Sequence, residues 1–114
     1  MEQRLDIAKT LGTPSALTQE QGDIVFNKIC AAIDSNNNIV LDFQNVESMI
    51  SPFLNVAIGK LYGSYSSDVI QSHLKMTNFP ASKNSTLQIV ISNAKKYYAN
   101  KEEYTSVLKD VIDQ

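Results

Sequence analysis

The sequence predicts an α/β layer fold, and three observations predict it. The run Ile39-Val40-Leu41 is apolar and β-branched-rich with no alternation, as in a strand buried on both faces. Ser51-Pro52, a good N-cap residue followed by the residue best suited to the first helical position, then opens a stretch in which Leu54, Ala57, Ile58, Leu61 and Tyr65 recur at helical spacing. The chain as a whole alternates strand, helix, strand, helix, strand, helix, helix, so its strands should pair in parallel through right-handed crossovers.

Taken in order, Leu5 and Ile7 alternate with Asp6 and Ala8, and Lys9-Thr10 follow, which reads as a short strand at or near a sheet edge. Gly12-Thr13-Pro14-Ser15 breaks it. Thr18 and Gln21 have the spacing of a capping box, so a first helix should start near Gln19 and run to Asp34. Its buried stripe is Phe26, Ile29, Cys30 and Ile33, with Val25 and Ala32 beside it. The run Ser35-Asn36-Asn37-Asn38 ends that helix, since Asn tolerates the left-handed conformation.

The central strand closes at Asp42-Phe43, and Gln44-Asn45 supply a turn. In the second helix, Gly59 and Gly63 share a face, which suits close packing of the helix on the sheet and a stop at Gly63. Ser64 to Asp68 is a polar connector, which Val69-Ile70 either continue or leave as the start of a strand. His73 to Thr77 alternates as the next strand, with Leu74 and Met76 inward, and Asn78-Phe79-Pro80 closes it. Ser82 or Ser85 caps a third long helix carrying Leu87, Val90, Ile91, Ala94 and Tyr98. Asn100-Lys101 interrupts, and a last helix carries Tyr104, Val107, Leu108, Val111 and Ile112. Such an amphipathic helix is either a core element or a dimer contact, and the core reading is preferred.

The 114 residues give room for one domain, residues 1–114, around one core. The net charge of −2 argues against a nucleic-acid surface, and Lys95-Lys96 is too short a basic cluster to change that. No apolar run is long enough to cross a bilayer and no secretory leader is recognisable at Met1, so no membrane contact is expected. The lone Cys30 cannot form an intramolecular disulfide, which fits a reducing cytoplasm.

From Leu41 to Tyr62 the chain reads L-D-F-x-N-V-x-x-x-I-S-x-F-L-N-x-A-I-G-x-L-Y, and this stretch resembles the STAS-like domains of bacterial and phage proteins. These are small relatives of STAS domains, named for sulfate transporters and anti-sigma-factor antagonists. The likeness continues more weakly through Lys9–Gly12 and Leu87–Tyr98. It implies a mixed sheet of the sporulation-antagonist type, with helices packed mainly on one face. It also implies a short extra strand, within Gln44–Met49 or near Leu11 or Leu17. The role it implies is regulatory binding of another protein, by analogy a GHKL-type ATPase or kinase, with no enzymatic activity and no cofactor.

Within that frame the expected partner-binding residues are Asp42, Asn45, Ser51 and Asn55, around the loop and first turns after the central strand. Ser51 sits where the antagonists place their phosphorylation segment, and helix amides there suit a phosphate. The local residues differ, however: aligning the segment puts Pro52 on the acceptor and Ile50 on the Asp, so Ser51 reads as a plain N-cap. Asp42 ends the strand where open parallel sheets bind ligands, but a lone carboxylate more often caps a loop amide. His73 is the only histidine and has no metal-ligand or triad companions, so it reads as structural. Cys30 reads as an inert core residue. Tyr65, Tyr98 and Tyr104 fit helical faces, which leaves Tyr62 and Tyr97 as surface anchors. The alternative function is a small-ligand module that takes a nucleotide or other anion at the start of the Pro52 helix.

Overall fold

The computed structural model describes the backbone of residues 2–112 and the side chains of residues 2–99. Three strands, β1 (Glu2–Asp6), β3 (Asn38–Asp42) and β5 (Leu74–Thr77), form a sheet in the order β1-β3-β5. The strand expected from the Ile39-Val40-Leu41 run is therefore the central one. Its register sets Leu5, Leu41 and Met76 side by side, and one step earlier Gln3, Ile39 and Leu74. Alternation along a strand puts these on one face of the sheet. Ile39 and Leu41 on that face belong to a buried core with Val25, Ile29, Phe43, Phe53, Leu54, Ile58 and Leu61. The other face carries Arg4, Val40, Asp42, Lys75 and Thr77. Val40 is buried there between Arg4 and Lys75 in register, so the strand is buried on both sides although the core lies on one.

Two further strands, β2 (Ser15–Ala16) and β4 (Ser48–Met49), pair with each other as a separate parallel ribbon. They fall near Leu17 and within Gln44–Met49, two of the places expected for a short extra strand. Every described strand pair is parallel, so the sheet is not mixed: each connection between paired strands passes through a helix, and no hairpin brings in an antiparallel neighbour.

The first strand is shorter than its alternation suggests. It ends at Asp6, whose carboxylate accepts from the Lys9 amide and caps α1 (Ile7–Leu11), so buried Ile7 is a helical residue. Gly12 closes α1 at φ 74°, the left-handed value that glycine adopts without strain. Next, α2 (Gln19–Asp34) opens on a complete capping box between Thr18 and Gln21. Asn36, at φ 59°, turns the chain out of α2 as expected.

The second helix departs most from expectation. Instead of one α-helix up to the expected stop at Gly63, α3 (Ser51–Ala57) ends early and a 3₁₀ turn (Gly59–Gly63) takes over, ending at Gly63 as expected. Gly63 serves close packing, but against the C-terminal helix rather than the sheet, and Gly59 faces the same helix at ordinary contact distance. A Cβ on Gly59 would lie 3.6 Å from Val90 and 3.7 Å from Ala94, and one on Gly63 would run into the Tyr98 ring. Ser66 then caps α4 (Ser67–His73) through the Val69 amide, which makes Val69-Ile70 helical rather than strand or connector. Finally α5 (Asn84–Ile112) is entered through a 3₁₀ turn at Ala81–Lys83. Ser82 lies in that turn and Ser85 inside the helix, so neither is the residue that precedes it. The backbone passes Asn100-Lys101 without a break, so the expected last helix is the continuation of α5. The expected face of Tyr104, Val107, Leu108, Val111 and Ile112 lies outside the described side chains.

Candidate functional site

At the carboxyl end of the sheet, Asp6, Asp42 and Thr77 stand in register across the three strands. Asp42 is the buried charged residue of the described core, and its oxygens are occupied. Oδ1 accepts from the Gln44 amide at 3.0 Å and from Asn78 Nδ2 at 3.0 Å, while Oδ2 accepts from Arg4 Nη2 at 3.1 Å. These bonds, that from Asn78 foremost, hold its carboxyl below the ordinary value and outweigh the opposing effect of burial. Asp42 thus caps a loop amide, as its position suggested, and also ties β1, β3 and the end of β5 together.

The start of α3 is built differently from its sequence signature. Ile50 N donates to Ala16 O at 3.2 Å, which extends the β2–β4 pairing by one residue and holds Ile50 extended at φ −129°. Ile50 is therefore the cap and Ser51 the first helical residue, and no side chain caps the helix. The expected N-cap role of Ser51 is corrected accordingly. Pro52 brings no N–H, and the Leu54 amide is already donated to Ile50 O, so at most two first-turn amides of this seven-residue helix could meet an anion. Among the described residues, no group of three His, Cys, Asp or Glu side chains could hold a metal ion.

Asn45, Ser51 and Asn55 are all exposed. Asn45 and Asn55 line separate surface features. Asn45 lines an open depression with Asp6, Lys9, Gly12, Thr13 and Pro14, beside α1. Asn55 lines a groove of about 190 Å³ between α3 and α5. Its floor is small and apolar, from Gly59, Val90 and Ala94, and its polar and aromatic rim is Asn55, Asn93, Tyr97 and Tyr98. Asn93 and Tyr97 are one helical turn apart on α5, and Tyr97 is 58% exposed. Sequence reasoning reached Asn55 and Tyr97 separately. The docking of α5 that joins them sets Val90 and Ala94 beside Gly59 and the Tyr98 ring against Gly63, and the small residues Gly59, Gly63 and Ala94 were its only signal in the sequence.

The other singled-out residues have structural contacts. His73 ends α4, with Nδ1 3.1 Å from Asn37 O. Cys30 is half-buried on α2. The Tyr65 hydroxyl donates to Asp34 Oδ1 at 2.7 Å, and burial together with that carboxylate pushes its ionisation up. Tyr62 is half-buried against the core, and its ring centroid lies 5.8 Å from Lys95 Nζ. Lys60 bridges to Asp23 at 3.2 Å and sits 4.6 Å from the Phe26 ring centroid, which ties the 3₁₀ turn to α2. No helix among the described residues is long and apolar enough to cross a membrane.

Comparison with known families matches residues 21–83 to a STAS-like domain of unknown function (DUF4325). The matched span takes in most of α2 and all of β3, β4, α3, α4 and β5, and leaves β1, α1, β2 and α5 outside it. No curated protein and no solved structure matches the chain. The family match covers more than half of the residues and includes the Leu41–Tyr62 stretch, with the central strand and the helix after it; the chain belongs to the STAS-like domain family.

Proposed function

We propose that this STAS-like domain is a non-enzymatic regulatory module of the bacterial cytoplasm that works by binding another protein, with a GHKL-type ATPase or kinase as the partner class. The observation that carries this reading is the groove beside Asn55. A small apolar floor ringed by amides and tyrosines is the composition of a protein-binding patch, in which aromatic anchors supply area and amides supply orientation. The partner class comes from the family relationship by analogy with anti-sigma-factor systems. A lone half-buried cysteine suits a reducing compartment.

The test compares tagged wild type with Asn55→Arg in native cells. Asn55 is exposed, so the substitution should leave the fold intact while setting bulk and an unmatched charge in the groove. The expected result is a folded variant that no longer co-purifies with the ATPase partner. A folded variant that retains it would remove the groove from the binding surface. A rise in melting temperature with ATP or GTP alone would instead support the small-ligand reading.

A further inference from the structure

We propose that β1 is a self-association edge: a second copy of this chain pairs with it in antiparallel fashion across a twofold axis at Gln3, making one six-stranded sheet. β1 is an outer strand of its sheet, and Glu2, Gln3 and Arg4 are all exposed. Among the described residues, the backbone of Glu2–Asp6 makes no hydrogen bond beyond its own strand pairing and the adjoining helix. The small ribbon is closed where this edge is open: Gln21 Nε2 donates to Ser15 O at 2.9 Å on β2. An edge strand with unmet backbone groups is a template for another strand.

Charge selects a second copy as the occupant. Glu2 and Arg4 lie two residues apart and so project from the same face of β1. With the axis at Gln3, Glu2 stands opposite the partner's Arg4, and Arg4 opposite the partner's Glu2. Shifting the axis to Arg4 would set Arg4 against the partner's Arg4 and Glu2 against the partner's Asp6, both like-charged and unfavourable. In this register β1 is complementary to itself in charge. In the single chain Arg4 Nη2 reaches inward over β3 to Asp42 and Thr77, and its side chain is 60% exposed, so pairing with the partner's Glu2 is made by turning the guanidinium outward from Asp42. The axis stands normal to the sheet, so both helix layers fall on one side of the joined sheet.

Sedimentation velocity over a range of concentrations tests this. Wild type should show a monomer–dimer equilibrium that weakens with added salt. Glu2→Arg, which turns both cross-strand pairs into like-charge contacts at an exposed position, should raise the dissociation constant by about tenfold with unchanged unfolding. In a Cys30→Ala background, Gln3→Cys should oxidise to a covalent dimer, because the axis brings the two copies' residues face to face. Lys75→Cys, exposed on the far outer strand, should not. A wild type that stays monomeric at every concentration, a Glu2→Arg dimer of equal strength, or equal cross-linking through Lys75→Cys would overturn the proposal. The Glu2→Arg arm stands alone if the Cys30→Ala background does not fold.

Discussion

Asn78 donates its side-chain amide to Asp42 across 3.0 Å, joining the residue just past β5 to the last residue of β3. It does so from φ 57°, a left-handed conformation that Asn tolerates better than most residues. Asp42 is thereby held ionised, its carboxyl lowered from 3.8 by the Asn78 bond, the Gln44 amide and Arg4. A carboxyl whose folded value lies below its unfolded one adds stability above the unfolded value, and that contribution is lost as pH falls through the folded one.

Asp42→Asn should therefore be less stable than wild type at neutral pH, with the gap closing as pH drops below 3.8 and wild-type Asp42 itself becomes protonated. Urea midpoints of the two proteins measured from neutral pH down to the acid limit check this. A gap that stays constant through the acid range would mean that the charge of Asp42 contributes nothing.

How much of this was legible in the sequence divides along physical lines. The central strand and α2 were, because an unalternating apolar run and the Thr18–Gln21 box are signals carried by adjacent residues. The start of α1 was not: Asp6 ends a strand pattern and caps a helix at once, and alternation through Ile7 hides the change. The break after Ala57 was invisible because apolar spacing continues through Ile58 and Leu61 although the backbone tightens to a 3₁₀ turn. At the site, the exposure of Asn55 followed from the pattern of its turn. Its groove did not, since Val90 and Ala94 come from an element more than thirty positions away. The bonds of Asp42 were hidden for the same reason, needing β1 and β5 in place on either side.

Gly22 and Gly59 should respond to alanine with opposite signs. A Cβ on Gly22 would lie 2.8 Å from Phe53 O and 2.8 Å from the Val56 Cβ, where α2 crosses α3, and neither group can rotate away. The gain in helix propensity, about 1 kcal/mol, is outweighed, and Gly22→Ala should lose about 1–3 kcal/mol. On Gly59 the nearest atoms would be at 3.6 Å, an ordinary contact, and its φ is not positive. Gly59→Ala should gain about 0.5 kcal/mol by restricting the unfolded chain. Urea unfolding of both variants decides, and equal signs would contradict the packing of α3 between α2 and α5.

Gln21 closes three backbone groups with one side chain. Oε1 accepts from Leu17 N at 2.7 Å and Thr18 N at 3.0 Å, and Nε2 donates to Ser15 O. Gln21→Glu keeps both acceptors and loses the donor, whereas Gln21→Ala loses all three bonds. Stability should fall in the order wild type, Glu, Ala, with the Ala variant about 1–2 kcal/mol down. Thermal unfolding that ranks Glu with Ala would show that the bond to Ser15 dominates the box.

Ser51 and Ile50 offer the sharpest test of where α3 begins. If Ser51 were the cap, Ser51→Ala would cost about 1 kcal/mol, as capping losses do. As the first helical residue it makes no side-chain cap bond, and the same substitution should cost less than about 0.5 kcal/mol. The cap position belongs to Ile50, which is 44% exposed and whose side chain has no oxygen to offer the orphan amides. Ile50→Ser should therefore stabilise the domain by about 1 kcal/mol, its hydroxyl accepting from the Phe53 amide, because Pro52 supplies none. Thr18→Ala, at a cap that does bond its Gln21 amide, is the positive control and should lose about 1 kcal/mol. A full loss in Ser51→Ala would move the helix start forward by one residue and return Ser51 to the cap.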